Sequence, residues 1–363
     1  MRRMPKAESQ TDKTVVVVIR SVKAFWLVFL ILPLLVPRTG NGQSISTEKH
    51  AVPSVLAREP TVLNVVYGNI SVSAAPLWIT QKAGIFQKHG IDARLSFARG
   101  TIATQAVIAG SFPVAILSPP SVVNSVLAGI RIKMVAGLID KLGYMVVSAR
   151  HITSASQLKG KRAGISSFGA TSETATRFAA RELGLDPDRD VVMLQIGNSS
   201  ARFAALASGN IEWMVADPAD VVPAQRQGYN VLLDLTTRGI DYQVSAVVMT
   251  EDFIRNRREV ALQFMRALIE GIRYFKTHKE ETIKAAADYL KTRDFEALGY
   301  SWQVHAERLV PARPYPSAKG MQLVIREVAT QNPLARNRPP EYFFDTSIIE
   351  EVDRSGFIDQ LYR

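Results

Sequence analysis

From about residue 61 to the 250s, short runs of β-branched and aliphatic residues alternate with stretches whose apolar positions recur every three to four residues. LNVVYGN (63–69) predicts a strand. APLWITQKAGIFQKHG (75–90) predicts one helix, opened by Pro76 in its first turn and closed at Gly90. IDARLSFA (91–98) predicts a strand, IATQAVIAG (102–110) a helix, PVAILS (113–118) a strand and SVVNSVLAG (121–129) a helix. IRIKMVAGLI (130–139) and YMVVSAR (144–150) follow as strands. After the charged, turn-forming SQLKGKR (156–162) the rhythm restarts. AGIS (163–166), VVMLQIG (191–197), IEWMVAD (211–217) and NVLLDL (230–235) read as strands, with helices between them. DYQVSAVVMT (241–250) returns as a strand, and a long helix over 257–279 keeps Ala261, Met265, Leu268, Ile272 and Phe275 on one face. The remainder is mostly helical. Such alternation predicts largely parallel sheets with helices on their faces, and its restart predicts two α/β lobes with a cleft between them.

The first 42 residues do not share this pattern. Arg2, Arg3, Lys6, Lys13, Arg20 and Lys23 precede an uncharged run of 13 residues, AFWLVFLILPLLV (24–36), which passes into TGNGQS. A basic segment, a short apolar core and a small-residue exit make a secretory signal, and the core is short of the roughly 20 residues that a membrane-spanning helix needs. Residues 1–42 are therefore expected to be a signal peptide, with an uncleaved anchor as the alternative, and 43–60 a linker. A periplasmic location follows. The leader carries seven bases and two acids, so the formal charge of +11 falls to +6 in the processed chain. The remaining bases are interspersed with acids, which gives no nucleic-acid footprint. Hydrophobic residues at 47% and charged residues at 21% are ordinary globular values.

Cysteine is absent, which removes thiol nucleophiles, thiolate metal sites and iron–sulfur clusters. His50, His89, His151, His278 and His305 show no metal-ligand spacing, and neither a phosphate-binding GxxxxGKS loop nor a GxSxG elbow occurs. No cofactor, no metal and no catalytic residue is expected.

Three segments carry a resemblance: PLWITQKAGIFQKHGIDARL (76–95), SQLKGKRAGIS (156–166) and ALASGNIEWMVAD (205–217), the last with Glu212 where aspartate is common. In their order and spacing they resemble the periplasmic solute-binding proteins of ABC importers, of the nitrate/sulfonate/taurine type grouped with thiamine-precursor binding proteins. The resemblance implies a type II periplasmic binding fold. Its first lobe would be made of residues 61–148 and 243–363 and its second of 149–242, with crossings near 148–151 and 239–243. It also implies a monomer that closes on a small-molecule ligand and delivers it to ABC permease and ATPase subunits. Nitrate, alkanesulfonate, taurine, aromatic carboxylate and pyrimidine ligands all stay open. The competing classes are an enzyme on the same fold, which zero cysteine disfavours, and a sensing domain that docks a receptor.

In open α/β sheets ligands sit beyond the carboxyl ends of strands, where helix amino termini present N–H groups. The junctions give Asn69, Ser71 and Ser73; Gly100 and Thr101; and Ser118 and Ser121 in the first lobe. In the second they give Phe168, Gly169, Ala170, Thr171 and Ser172, then Asn198 and Ser199, then Asp217. Each hydroxyl or amide there also suits a plain helix cap. SSFGATS (166–172) is the preferred contact, since its small residues permit close backbone approach and the following helix should aim free N–H groups at the ligand. Tyr67, Trp78, Phe168 and Trp213 are candidate walls for an apolar part of the ligand, with core packing the stronger expectation for both tryptophans. Asp217 in a cleft disfavours a simple inorganic anion and favours a ligand with an amine or hydroxyl.

Overall fold

A computed structural model of the chain describes residues 59–363; the expected signal peptide, 1–42, and most of the expected linker, 43–60, lie outside the described residues. Two five-stranded sheets organise the rest. The chain lays down β1 (Thr61–Tyr67), α1 (Ala75–Lys82), α2 (Ile85–Lys88), β2 (Ile91–Phe97), α3 (Gly100–Ile108), β3 (Val114–Leu117), α4 (Pro119–Leu127) and β4 (Ile132–Lys141). It then builds the second sheet from β5 (Met145–Ser148), β6 (Lys161–Ile165), α5 (Thr171–Glu182), β7 (Val191–Gln195), α6 (Ser199–Ala207), β8 (Trp213–Ala216), α7 (Pro218–Arg226) and β9 (Asn230–Asp234). β10 (Asp241–Thr250) returns to the first sheet. α8 (Glu251–Asn256), α9 (Arg258–Thr277), α10 (Lys279–Leu290), α11 (Phe295–Val304), α12 (Ala318–Gln331), α13 (Ser347–Arg354) and α14 (Phe357–Leu361) finish the chain.

The strand orders are β2-β1-β3-β10-β4 and β7-β6-β8-β5-β9. β1 runs parallel to β2 and β3, whereas the returning β10 is antiparallel to both its neighbours. β5 plays the same part in the second sheet, antiparallel to β8 and β9. Each sheet is thus parallel but for one strand, the one that begins at a crossing.

The structure moves two sequence boundaries. The helix expected over 75–90 breaks in two at Gly84, whose φ of 71° lies in the left-handed region that glycine accepts without penalty. The first crossing lies at 142–144 rather than 148–151, because Met145–Ser148 pair with β8 and β9. There Gly143 packs where a Cβ would come within 2.6 Å of Leu309 Cδ1. The return passes from the turn Leu235–Thr237 to Asp241.

The core of the first lobe explains why its long helix keeps one apolar face. Ala261, Met265, Leu268, Ile272 and Phe275 are fully buried. Mid-helix Gly271 lets α9 close on α1, since a Cβ there would fall 2.8 Å from Thr80 Cβ. Trp78, completely buried, stacks on Tyr289 at 4.7 Å and meets Tyr67 edge-on at 6.1 Å. In the second lobe Glu212 Oε2 accepts the Arg162 backbone N–H at 2.8 Å, and the carboxylate pairs with the Arg162 guanidinium. That bond joins the SQLKGKR and ALASGNIEWMVAD segments across adjacent strands. Among the described residues no helix is long and apolar enough to cross a membrane.

Candidate functional site

The crossings orient both lobes. Met145, the first residue of β5, pairs with Ala216 and Asp234, the last residues of β8 and β9. Asp241, the first residue of β10, pairs with Lys141, the last of β4, and Ala246 pairs with Leu117, the last of β3. Both connections therefore join the carboxyl ends of the parallel strands, and the helix starts that follow those strands lie on the crossing side of each lobe.

On the first lobe these starts carry hydroxyl and amide groups at α1 and α4 and the exposed Arg99 as the cap residue of α3. The Asn69 amide donates to Ser71 Oγ at 3.0 Å and Ser73 Oγ at 3.1 Å, and the two hydroxyls are 2.6 Å apart. Ser71 caps the short 3-10 turn Val72–Ala74 that leads into α1. Ser118 is the residue before α4, yet its hydroxyl makes no cap bond; it lies 2.9 Å from Ser121 Oγ. Gly100 and Thr101 open α3. None of α1, α3 and α4 has an acid in its first turn, so no carboxylate there opposes their partial positive ends.

On the second lobe two of the three starts, those of α5 and α7, carry acids. Gly169 adopts a φ of 78°, as its place in a tight loop requires, and Phe168 beside it is 54% exposed. The loop's donors are spent within the lobe: Ser166 N–H goes to Ser172 Oγ at 2.8 Å, Phe168 N–H to Gln195 Oε1 at 3.4 Å, Gly169 N–H to Glu173 Oε2 at 2.6 Å and Ala170 N–H to the Ser167 carbonyl at 3.3 Å. The expected free N–H groups of SSFGATS are to that extent already occupied. Ala170, without a side-chain acceptor, is the cap position, and Thr171 and Ser172 are buried. Asn198 caps α6 through Ala201 N–H at 2.9 Å, and Ser199 Oγ donates to Asp220.

Asp217 and Asp220 open α7, both partly buried. Burial pushes the Asp217 carboxyl up, against the charge of Arg202 and a hydrogen bond from Ser199. Burial, then the neighbouring Asp217 charge, pushes Asp220 up to about 6. Arg202 itself is 3% exposed; its guanidinium donates to the Gly197 carbonyl at 3.0 Å and the Val215 carbonyl at 3.1 Å, just past β7 and within β8. Tyr144, in the first crossing, feels Asp217 as well, and its phenol is pushed up chiefly by burial. Arg202, Asp220, Glu173 and Tyr144 were not legible as site residues. Asp220 had a signal in its spacing, three residues after Asp217 on a helix. Arg202 looks like a surface base in SARF until tertiary packing buries it.

Of the candidate apolar walls, Trp78 and Trp213 are wholly buried and Tyr67 nearly so. Phe168 alone of the four is exposed, and Ile70, Phe97 and Ile102 at first-lobe junctions are exposed too. Among the described residues no group of three or more His, Asp or Glu could hold a metal ion.

Comparison with known proteins identifies the family and the fold. The family model described as NMT1/THI5 like matches residues 71–282. The ligand-binding component of an ABC-type import system from Staphylococcus aureus superposes with a TM-score of 0.67 at 14% identity, covering 80% of this chain and 98% of that one. The periplasmic aliphatic sulphonate binding protein SsuA from Escherichia coli gives 0.63 at 16%, covering 80% and 100%. A cysteine-to-serine mutant of DSZB in complex with biphenyl-2-sulfinic acid gives 0.61 at 16%, covering 81% and 99%. At such identities the likeness establishes the fold, that of the periplasmic binding proteins. No protein of curated function matches the chain in sequence.

Proposed function

Because the chain belongs to the NMT1/THI5-like family, we propose that it is the extracytoplasmic solute-binding component of an ABC importer, taking a small zwitterionic ligand of the aminoalkanesulfonate kind. The observation that carries the ligand reading is the asymmetry of the two rims. Helix starts without acids, lined by Asn69, Ser71, Ser73, Ser118 and Ser121, suit a sulfonate or other anionic end on the first lobe. The two carboxyls of Asp217 and Asp220 at the start of α7, with the guanidinium of Arg202 the one positive charge acting on both, suit an ammonium end on the second. The neighbours that bind aliphatic sulphonate or serve ABC import support the transport role. Export through the leader, a periplasmic location, a monomeric state, rigid-body closure about 142–144 and 235–240, and delivery to permease and ATPase subunits complete the proposal.

A thermal-shift panel on the processed chain tests it. An aminoalkanesulfonate well above its dissociation constant should raise the melting temperature. A panel of sulfonates, nitrate, carboxylates and pyrimidines that moves it nowhere would count against the reading. An enzyme on this fold is the second reading, supported by the likeness to DSZB. Without a cysteine in the chain, sulfinate cleavage by a thiol has no nucleophile here.

A further inference from the structure

The start of α5 is the helix end that the sequence marks out to receive an anion, and it already holds one. Glu173, 6% exposed, stands in the first turn of this 12-residue helix. Its Oε2 accepts the Gly169 N–H at 2.6 Å and its Oε1 accepts Arg177 Nε at 3.0 Å. Arg177 is in turn shared with Asp188 at 2.6 Å, so the group brings no spare positive charge. From the first lobe, α12 adds Glu327, 3.8 Å from Arg181 and close enough to Glu173 for the two acids to repel, and Gln331, whose Oε1 lies 3.6 Å from where a Cβ on Gly169 would sit. α1, α3, α4 and α6 have no acid in the first turn. Among the helices that begin at the cleft edge, only α5 and α7 carry one.

Resting on the two-lobed cleft reading above, we infer that Glu173 is a specificity determinant of that cleft. Its carboxylate fills the anion position at the α5 start and turns anionic ligand groups away from the second lobe. The physical reason is direct. A helix start attracts an anion through free N–H groups and a partial positive charge. Glu173 takes the Gly169 N–H and compensates that charge, and a second anion placed there would face a buried like charge. The anionic end of the ligand is thereby assigned to the first lobe, and one orientation of a zwitterion is selected over its reverse.

Inorganic sulfate is the probe, titrated into wild type, Glu173→Gln and Glu173→Ala, with calorimetry for affinity and the Gly169 amide resonance for place. Both variants should bind sulfate more tightly than wild type, on the order of tenfold or more for Glu173→Ala, as expected for one recovered charge-assisted hydrogen bond. The Gly169 amide should move in the variants and stay still in wild type. A Glu173→Ala chain with the wild-type melting curve and unchanged sulfate affinity would overturn the inference, as would wild-type sulfate binding that shifts Gly169. Should Glu173→Ala fail to fold, Glu173→Gln carries the test alone, because it keeps the size and an acceptor while removing the charge. Failure of wild type to bind any aminoalkanesulfonate would sink the proposed ligand and leave this sulfate comparison readable.

Discussion

The two rims of the cleft are built on the same plan and carry opposite chemistry. Each consists of helices that begin just beyond the carboxyl ends of parallel strands. In the first lobe they carry no acid: amide and hydroxyl groups form small local networks, Asn69–Ser71–Ser73 and Ser118–Ser121, and Arg99 stands before α3. In the second they carry Glu173, Asp217 and Asp220, held against Arg177 and Arg202. The backbone supplies both rims with the same partial positive charge. What the side chains do with it differs: the first lobe places no acid in the first turns of α1, α3 and α4, and the second places one in those of α5 and α7. Helix starts at strand ends favour anions by default, and on the reading proposed above the acids at two of them give one side of the cleft another use.

Breaking the second rim should have the largest effect. Arg202→Ala removes two buried charge-assisted hydrogen bonds, to the Gly197 and Val215 carbonyls, and the positive charge that favours ionised Asp217 and Asp220, which should cost about 3–5 kcal/mol of stability. Melting curves check this, and the loss should be smaller at pH 5 than at pH 8 because protonation relieves the acids. Next comes the first rim. Ser118→Ala with Ser121→Ala removes hydroxyls that cap nothing, so the melting curve should hardly move while affinity for a sulfonate ligand falls by about 1.5–3 kcal/mol, roughly ten- to a hundredfold by calorimetry.

The third test separates stability from binding at Asp220. Its pKa is raised in the folded protein to about 6, so its contribution to stability is present at low pH and is lost as pH rises through that value. Binding of an ammonium group has the opposite sign, since it strengthens as Asp220 ionises. Asp220→Asn should flatten both profiles: stability above pH 6 equal to or above wild type, and no gain in amine-ligand affinity across pH 5 to 7, the range that spans this titration. Melting and titration series over that range give the answer. The smallest effect belongs to Thr171→Ala. Thr171 is buried but is not the cap of α5, so the change should cost under about 1 kcal/mol and leave affinity unaltered.

The order of strands and helices was legible in the sequence because each lobe repeats short aliphatic runs between helical stretches. Boundaries were less so. Gly84 splits α1 from α2, and an apolar pattern that continues through the break does not reveal a left-handed residue. The first crossing was misplaced because MVVS is equally apolar in either sheet, and only pairing with β8 and β9 assigns it. Junction residues were legible as polar groups at strand ends; their partners were not. Nothing local to SSFGATS says that Glu173 folds back onto Gly169, or that Arg202 turns inward between two strand ends. Those facts depend on burial, which a single sequence does not display.

The proposed cleft divides its labour, taking an anionic ligand end on the first rim and a cationic end on the second. The direct measurement is calorimetric titration of the processed chain at pH 7.5 with an aminoalkanesulfonate, the alkanesulfonate of the same chain length and nitrate, a pH at which Asp220 is ionised. The aminoalkanesulfonate should bind about tenfold or more tightly than the amine-free compound, nitrate should be weakest, and the amine's advantage should shrink on acidification through pH 6. Equal affinity for the two sulfonates, or preference for nitrate, would contradict it.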